Sequence, residues 1–571
     1  MKSAVISPCF HPCSALNPQN SPRLGASRRS FRGSMSASTV SRQGLIAKDC
    51  ARRHYGHVPR GLFGRKRPKT SGGSSVLKYV GTSGRFLRPG TFVLSMADHE
   101  EGSSHNLDKS KEKRVPVFVM MPLDTFGITD SGIGKIKRLK ALSVSLRALK
   151  LAGVHGVMVE VWWGVVERVS PLQYDWSVYE DLFKMTCDAG LKLHVVLSFH
   201  ASLYPFSSPR ANISLPLWVV EIGNMNKDIY YRDRHGYPSD EYLSIGVDQI
   251  PLFYGRTAVE CYEDFMFSFI DRFQTLMGNT IEGITIGLGP SGELRYPAHP
   301  FYDGRWKFPG IGEFQCYDKY MMEDLKQTAF QAGKPEWGFT GPQGAGSYNS
   351  FPLGEPFFKD GQGTFLSDYG QFFLEWYSGK LVEHADCILS KAVKVLKTHQ
   401  RDEPDSVLLV AKIAGIHWWY HTESHAAELT AGYYNTAYRN GYDSIVAVFA
   451  RHGTAINVPC LEMLDSEQPE ICHCSPEGLL KQIREVAIQG NIPLTGENAI
   501  QRFDKEAFCQ IAMNAYQRPQ VMRAFTYFRM RETLFRADNW KSFVHFVKLM
   551  YSKSHDGGCN GKMYSNLCKA G

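Results

Sequence analysis

Leu191-Lys192-Leu193-His194-Val195-Val196-Leu197-Ser198-Phe199-His200 is a mostly apolar stretch with no Gly or Pro inside it, and it stops on two polar residues, Ser198 and His200. A strand covered on both faces reads this way, because a parallel sheet is packed by helices on each side. The pattern recurs along the chain. Similar runs occupy residues 115–123, 157–163, 281–287, 407–416, 455–461, 491–495 and 523–528, making eight with 191–199. Between them lie amphipathic helical patterns, clearest at Ile136, Leu139, Leu142, Leu146 and Leu149, which recur three and four apart and so share one helix face. Buried strands alternating with such helices predict an α/β fold, and eight units predict closure into a (β/α)8 TIM barrel. A doubly wound open sheet is the competing arrangement, although the glycine fingerprint of its dinucleotide-binding form does not follow the first strand.

The predicted barrel spans 115–555, about 440 residues where a minimal barrel needs about 250. Most of the surplus follows strands three and four. Long loops at the carboxyl ends of barrel strands build sites, and residues 201–218 and 296–315, rich in Pro, Gly, Tyr, Phe and Trp, are expected to be walls of one. A charged linker, 98–114, precedes the barrel and a short tail, 556–571, follows it.

The net charge of +9 points to nucleic acid until it is divided along the chain. Residues 1–97 hold 17 Lys and Arg against one acid, Asp49; the remainder carries 48 basic and 55 acidic residues, a net −7. That leader is rich in Ser, Arg, Gly and Pro and lacks periodicity, the composition of an organelle transit peptide. A basic tail with no address is the alternative. A nucleic-acid-binding arm would call for a docking helix, a zinc pattern or a heptad partner, none of which the leader has. No apolar run approaches the roughly 20 residues of a bilayer span, so no membrane role is expected. The 13 cysteines lack paired C-x-x-C spacing, and the one cluster, Cys472-His473-Cys474, does not make a four-ligand zinc site. Free thiols in a reducing compartment are expected.

The chemistry lies where successive runs end. Run two closes on Glu160-Val161-Trp162-Trp163, run three on His200, and run four on Gly287-Leu288-Gly289-Pro290-Ser291-Gly292-Glu293-Leu294-Arg295-Tyr296-Pro297. Run five carries Lys412 and ends on His417-Trp418-Trp419; run six enters Asn457-Val458-Pro459-Cys460-Leu461-Glu462-Met463; run seven enters Glu497-Asn498-Ala499; run eight ends on Phe528-Arg529. In a barrel these tips meet on one face. Carboxylates, imidazoles, a lysine, an arginine and two Trp pairs, with no phosphate cradle and no metal-ligand set, suit a neutral polyhydroxy ligand. Breaking a glycosidic bond needs one carboxylic acid for the leaving oxygen and a second carboxylate to activate water or to attack. Any single glutamate is equally well a salt-bridge partner.

From about residue 115 to 550 the chain resembles the plant β-amylase family. The match is carried by the 287–297 motif, by Gly310-Ile311-Gly312-Glu313-Phe314-Gln315-Cys316-Tyr317, and by His425-Ala426-Ala427-Glu428-Leu429-Thr430-Ala431-Gly432-Tyr433-Tyr434. The resemblance implies that Glu293 is the general acid and Glu497 the general base of an inverting hydrolysis that releases β-maltose from the non-reducing ends of α-1,4-glucans. It implies sugar contacts at Glu160, His200, Lys412, His417, Pro459, Asn498, Ala499 and Arg529, and places Glu462 in an inner loop without giving its role. It implies no cofactor and no metal, and a plastid stromal setting.

Three positions depart from the family. Glu160 stands where the family has Asp, moving the charge by one methylene. The lid, residues 201–212, has no Gly and no acid but two prolines. Pro459 replaces a Thr and its hydroxyl. Each departure touches substrate positioning while both proton-handling glutamates remain. The expectation is therefore reduced hydrolysis, the alternative being a non-catalytic glucan or maltose sensor that regulates starch breakdown through a protein partner.

Overall fold

The computed structural model describes residues 114–128, 134–202, 213–399 and 407–551. The leader, the linker through residue 113, the tail and the lid from 203 to 212 lie outside them.

Eight strands form a closed barrel: β1 Val117–Met120, β2 Gly156–Trp162, β3 Lys192–Ser198, β4 Ile281–Ile286, β5 Leu408–Lys412, β6 Ala455–Val458, β7 Leu494–Glu497 and β8 Phe525–Tyr527. Each pairs in parallel with its sequence neighbours, and β8 returns to β1 in the register Val117 to Phe525, closing the ring. The open-sheet alternative is thereby excluded. Each predicted run overlaps one strand, although β2 begins one residue before its run and β7 extends to Glu497, past residue 495. The other strands stop earlier than the runs because the chain peels away into site-building loops. The seventh starts at Leu494 rather than 491, since Asn491 takes a left-handed φ of 52° as it leaves the preceding helix.

The covering helices are α1 Leu139–Leu151, α2 Ser177–Asp188, α3 Ala258–Phe273, α4 Asp368–His399, α5 Tyr442–Arg451, α6 Pro476–Gln489, α7 Lys505–Tyr516 and α8 Ala537–Tyr551. In α1 the apolar stripe buries Leu142, Leu146 and Leu149 as expected. Ile136 and Leu139 do not join it: Arg138, at a φ of 51°, sets the helix start, so Ile136 pairs with Phe126 in a small ribbon and Leu139 is exposed. Thr257 and Glu260 form a reciprocal capping box on α3, while Ser475 and Asp504 cap α6 and α7, each cap being worth about 1 kcal/mol.

The long connections follow β3 and β4, as the surplus length predicts. The first carries an antiparallel hairpin, Tyr230–Arg232 with Pro238–Leu243. No helix among the described residues is long and apolar enough to cross a membrane. Cys187, Cys261, Cys316 and Cys387 are free thiols; Cys509 is disulfide-bonded, against the expectation of free cysteines throughout.

Candidate functional site

At the carboxyl ends of the strands the barrel opens into a narrow cleft with about 70 Å³ of space accessible to water. Glu160, His200, Lys412, Pro459, Glu497, Asn498, Ala499 and Arg529, named above from sequence, all line it.

Glu293 is delivered by backbone geometry. After β4 the chain turns through Ser291 and Gly292, both at positive φ, and Leu294 N–H then donates to the Lys412 carbonyl at 2.8 Å, setting Glu293 beside the tip of β5. Its side chain is buried behind the cleft wall. Arg295 Nε donates to its Oε2 at 2.7 Å, and Lys412 Nζ stands 3.7 Å from its Oε1. The same ammonium group pairs with Glu497 Oε1. One lysine thus faces both glutamates. Glu497 ends β7, and its Oε2 accepts from Asn457 Nδ2 at 3.1 Å, the amide being oriented by Thr495 Oγ1 on its Oδ1 at 2.9 Å.

At the other side of the ring, Arg529 Nη1 donates to Glu160 Oε2 at 3.1 Å and to the Met121 carbonyl at 3.0 Å. Asn498 accepts from Phe528 N–H at 2.8 Å and donates to the Ile500 carbonyl at 2.7 Å, clamping the tips of β7 and β8 together. His200 packs edge-on to Trp162 at 5.0 Å between centroids. Burial, with the Lys412 and Arg295 charges beside it, lowers its pKa to about 3, so the imidazole is neutral.

Two other sequence candidates do not line the cleft. Glu462 is fully buried and its carboxylate accepts the N–H groups of Ala499 at 2.9 Å and Ile500 at 2.7 Å, which makes it a support for the loop carrying Asn498 and Ala499. Burial pushes its carboxyl up to about 7. His417 is buried against Phe308 and Trp418, and burial lowers it to about 3. The Trp pairs, expected to cover sugar faces, are divided: Trp162 lines the cleft, while Trp163 packs on Trp218 and Tyr262, and Trp418 on Trp306, inside the loops. Their indole N–H groups find carboxylate or carbonyl partners there, which is what fixes them.

The sequence reading missed Glu241, Ser291 and Asn457. Glu241 lies on the hairpin after β3, far from any strand tip in sequence, and only the fold brings it to the cleft. Its Oε1 accepts from Ser291 N–H at 2.8 Å and Oγ at 3.2 Å. Burial raises its pKa, with the Arg295 charge opposing. No group of His, Cys, Asp and Glu among the described residues is arranged to hold a metal.

The model of glycosyl hydrolase family 14 matches residues 118–556. A chloroplastic protein of Arabidopsis thaliana named inactive beta-amylase 4 is 61% identical over 459 residues, covering 80% of this chain and 86% of that one. Chloroplastic beta-amylase 1 of the same plant is 48% identical over 444 residues, covering 76% and 75%. The crystal structure of the catalytic domain of a beta-amylase from Paenibacillus polymyxa superposes with a TM-score of 0.61 at 27% identity, covering 77% of this chain and 98% of that domain.

Proposed function

The chain belongs to glycosyl hydrolase family 14, and from that premise we propose that it binds the non-reducing end of an α-1,4-glucan in the plastid stroma and hydrolyses it slowly, releasing β-maltose with inversion. The basic leader, 1–97, directs import and is removed; the working unit is the barrel from about residue 115 to 555.

What supports this reading is that one lysine, Lys412, faces two glutamates, Glu497 lining the cleft and Glu293 buried behind its wall. In the proposed reaction Glu293 gives its proton to the glycosidic oxygen as the bond to C1 breaks. Glu497 takes a proton from water as the water oxygen bonds to C1 from the opposite face. Glu293 ends as carboxylate and Glu497 as acid, and exchange with water restores both. Glu160, Arg529, Asn498 and the backbone at Ala499 hold the sugar hydroxyls.

The slowness has a geometric cause. Glu293 accepts from Arg295 on one oxygen and faces Lys412 with the other, contacts made by residues that match the family, so the cause lies at the positions that depart from it. Pro459 offers no hydroxyl at the rim, and Glu160 is already tied to Arg529. Reducing-sugar release from soluble starch by residues 98–571 tests the proposal. Glu293→Gln and Glu497→Gln should each abolish release, and equal background from all three proteins would refute hydrolysis.

The non-catalytic alternative, a sensor of maltose or glucan ends acting through a protein partner, is favoured by Pro459 and by the 61% identity to a relative whose name calls it inactive. Maltose binding without turnover would select it.

A further inference from the structure

Among the carboxylates at the cleft, Glu241 has no part in the scheme above. It sits on the hairpin strand Pro238–Leu243, whose backbone is pinned to the end of β3 by Ala201 N–H donating to the Glu241 carbonyl at 2.7 Å. The residue is 8% exposed. Oε1 is occupied by both Ser291 donors, at 2.8 and 3.2 Å. Oε2 accepts no hydrogen bond among the described residues, and the side chain lines the cleft. That oxygen keeps contact with the solvent of the cleft, where a ligand hydroxyl can take the place of water.

Position adds to the case. Ser291, which Glu241 grips, follows β4, whereas Arg529, the partner of Glu160, follows β8. Glu160 reaches the cleft from β2, whereas Glu241 reaches it from the hairpin, held to the end of β3 and to the turn after β4, so the two carboxylates enter from separate elements.

We propose that Glu241 is a further substrate-contacting residue, its Oε2 accepting a hydroxyl of a glucosyl unit at the strand-four end of the cleft. The contact rests on the glucan-binding reading and extends it by adding to the cleft an acceptor that the reading does not use.

Calorimetric titration of wild type, E241Q and S291A with maltose and with maltotetraose tests this. In E241Q the amide oxygen still accepts the Ser291 N–H, but the amide nitrogen, a donor, replaces the acceptor in the cleft. Maltotetraose affinity should fall about tenfold in E241Q and by less in S291A, which removes one of the two donors on Oε1 but keeps the backbone N–H contact. A Glu241 that only braces the turn predicts wild-type maltotetraose binding by E241Q, and that result would overturn the contact alone. Absence of binding of either sugar to wild type would overturn the functional reading and the contact together.

Discussion

Arg529 Nη1 lies 3.1 Å from Glu160 Oε2, so an ion pair occupies this part of the cleft wall. Both partners are largely sheltered, and the pair must rearrange when a ligand enters. Shortening the acid by one methylene draws the carboxylate back toward β2. We expect Glu160→Asp to raise kcat/KM on soluble starch about tenfold, since misplacement on the order of 1 Å at a positioning group costs about a hundredfold. An unchanged or lower rate would show that the longer side chain is not what limits turnover.

Pro459 packs against Gly415, where a methyl group would come within 2.8 Å of the proline ring. The contact fixes the inner loop but supplies no hydrogen bond. Pro459→Thr is expected to increase kcat/KM about tenfold, the value of one added hydrogen bond of about 1.4 kcal/mol. Steady-state kinetics on maltopentaose would detect this, and a gain confined to thermal stability would count against it.

Lys412 balances two buried carboxylates. Lys412→Met leaves Glu293 with Arg295 but strips Glu497 of its only ion pair among the described residues. Turnover should fall at least a hundredfold, and stability in urea should drop by about 2 kcal/mol, below the usual cost of breaking a buried pair because the lysine is partly exposed. A variant as stable as wild type would mean that Asn457 alone satisfies Glu497.

Glu462 gives a prediction in pH. Its carboxyl is raised by burial from 4.5 to about 7, so the folded chain keeps a proton that the unfolded chain has released. The associated stability is complete below about pH 4.5 and is lost as pH rises through 7. Between pH 5 and 8 the wild type should therefore lose about 2 kcal/mol more stability than Glu462→Gln, by urea denaturation at each pH. Parallel pH profiles for the two proteins would contradict the assignment.

The strands were legible because a strand buried on both faces writes itself as a continuous apolar run, and the tips were legible because polar residues such as Lys412, Glu497 and Arg529 interrupt those runs. Loop structure was not. Trp163 and Trp418 look the same in sequence as Trp162, yet long-range packing on Trp218 and Trp306 turns them away from the cleft. Glu241 sits in an ordinary polar stretch, and only the hairpin fold carries it to Ser291. Glu462 looks like a ligand-facing acid until the two N–H groups that consume its carboxylate are seen.

The ladder between β1 and β8, and the Arg529 contact to the Met121 carbonyl, join positions 408 residues apart in sequence. A chain still emerging from the ribosome therefore has no pocket at all, however much of the barrel has condensed. Until the last strand is released, β1 and β7 present raw edges open to pairing with other chains. A transcript truncated before residue 525 should yield insoluble protein with no sugar affinity, not a weakened amylase.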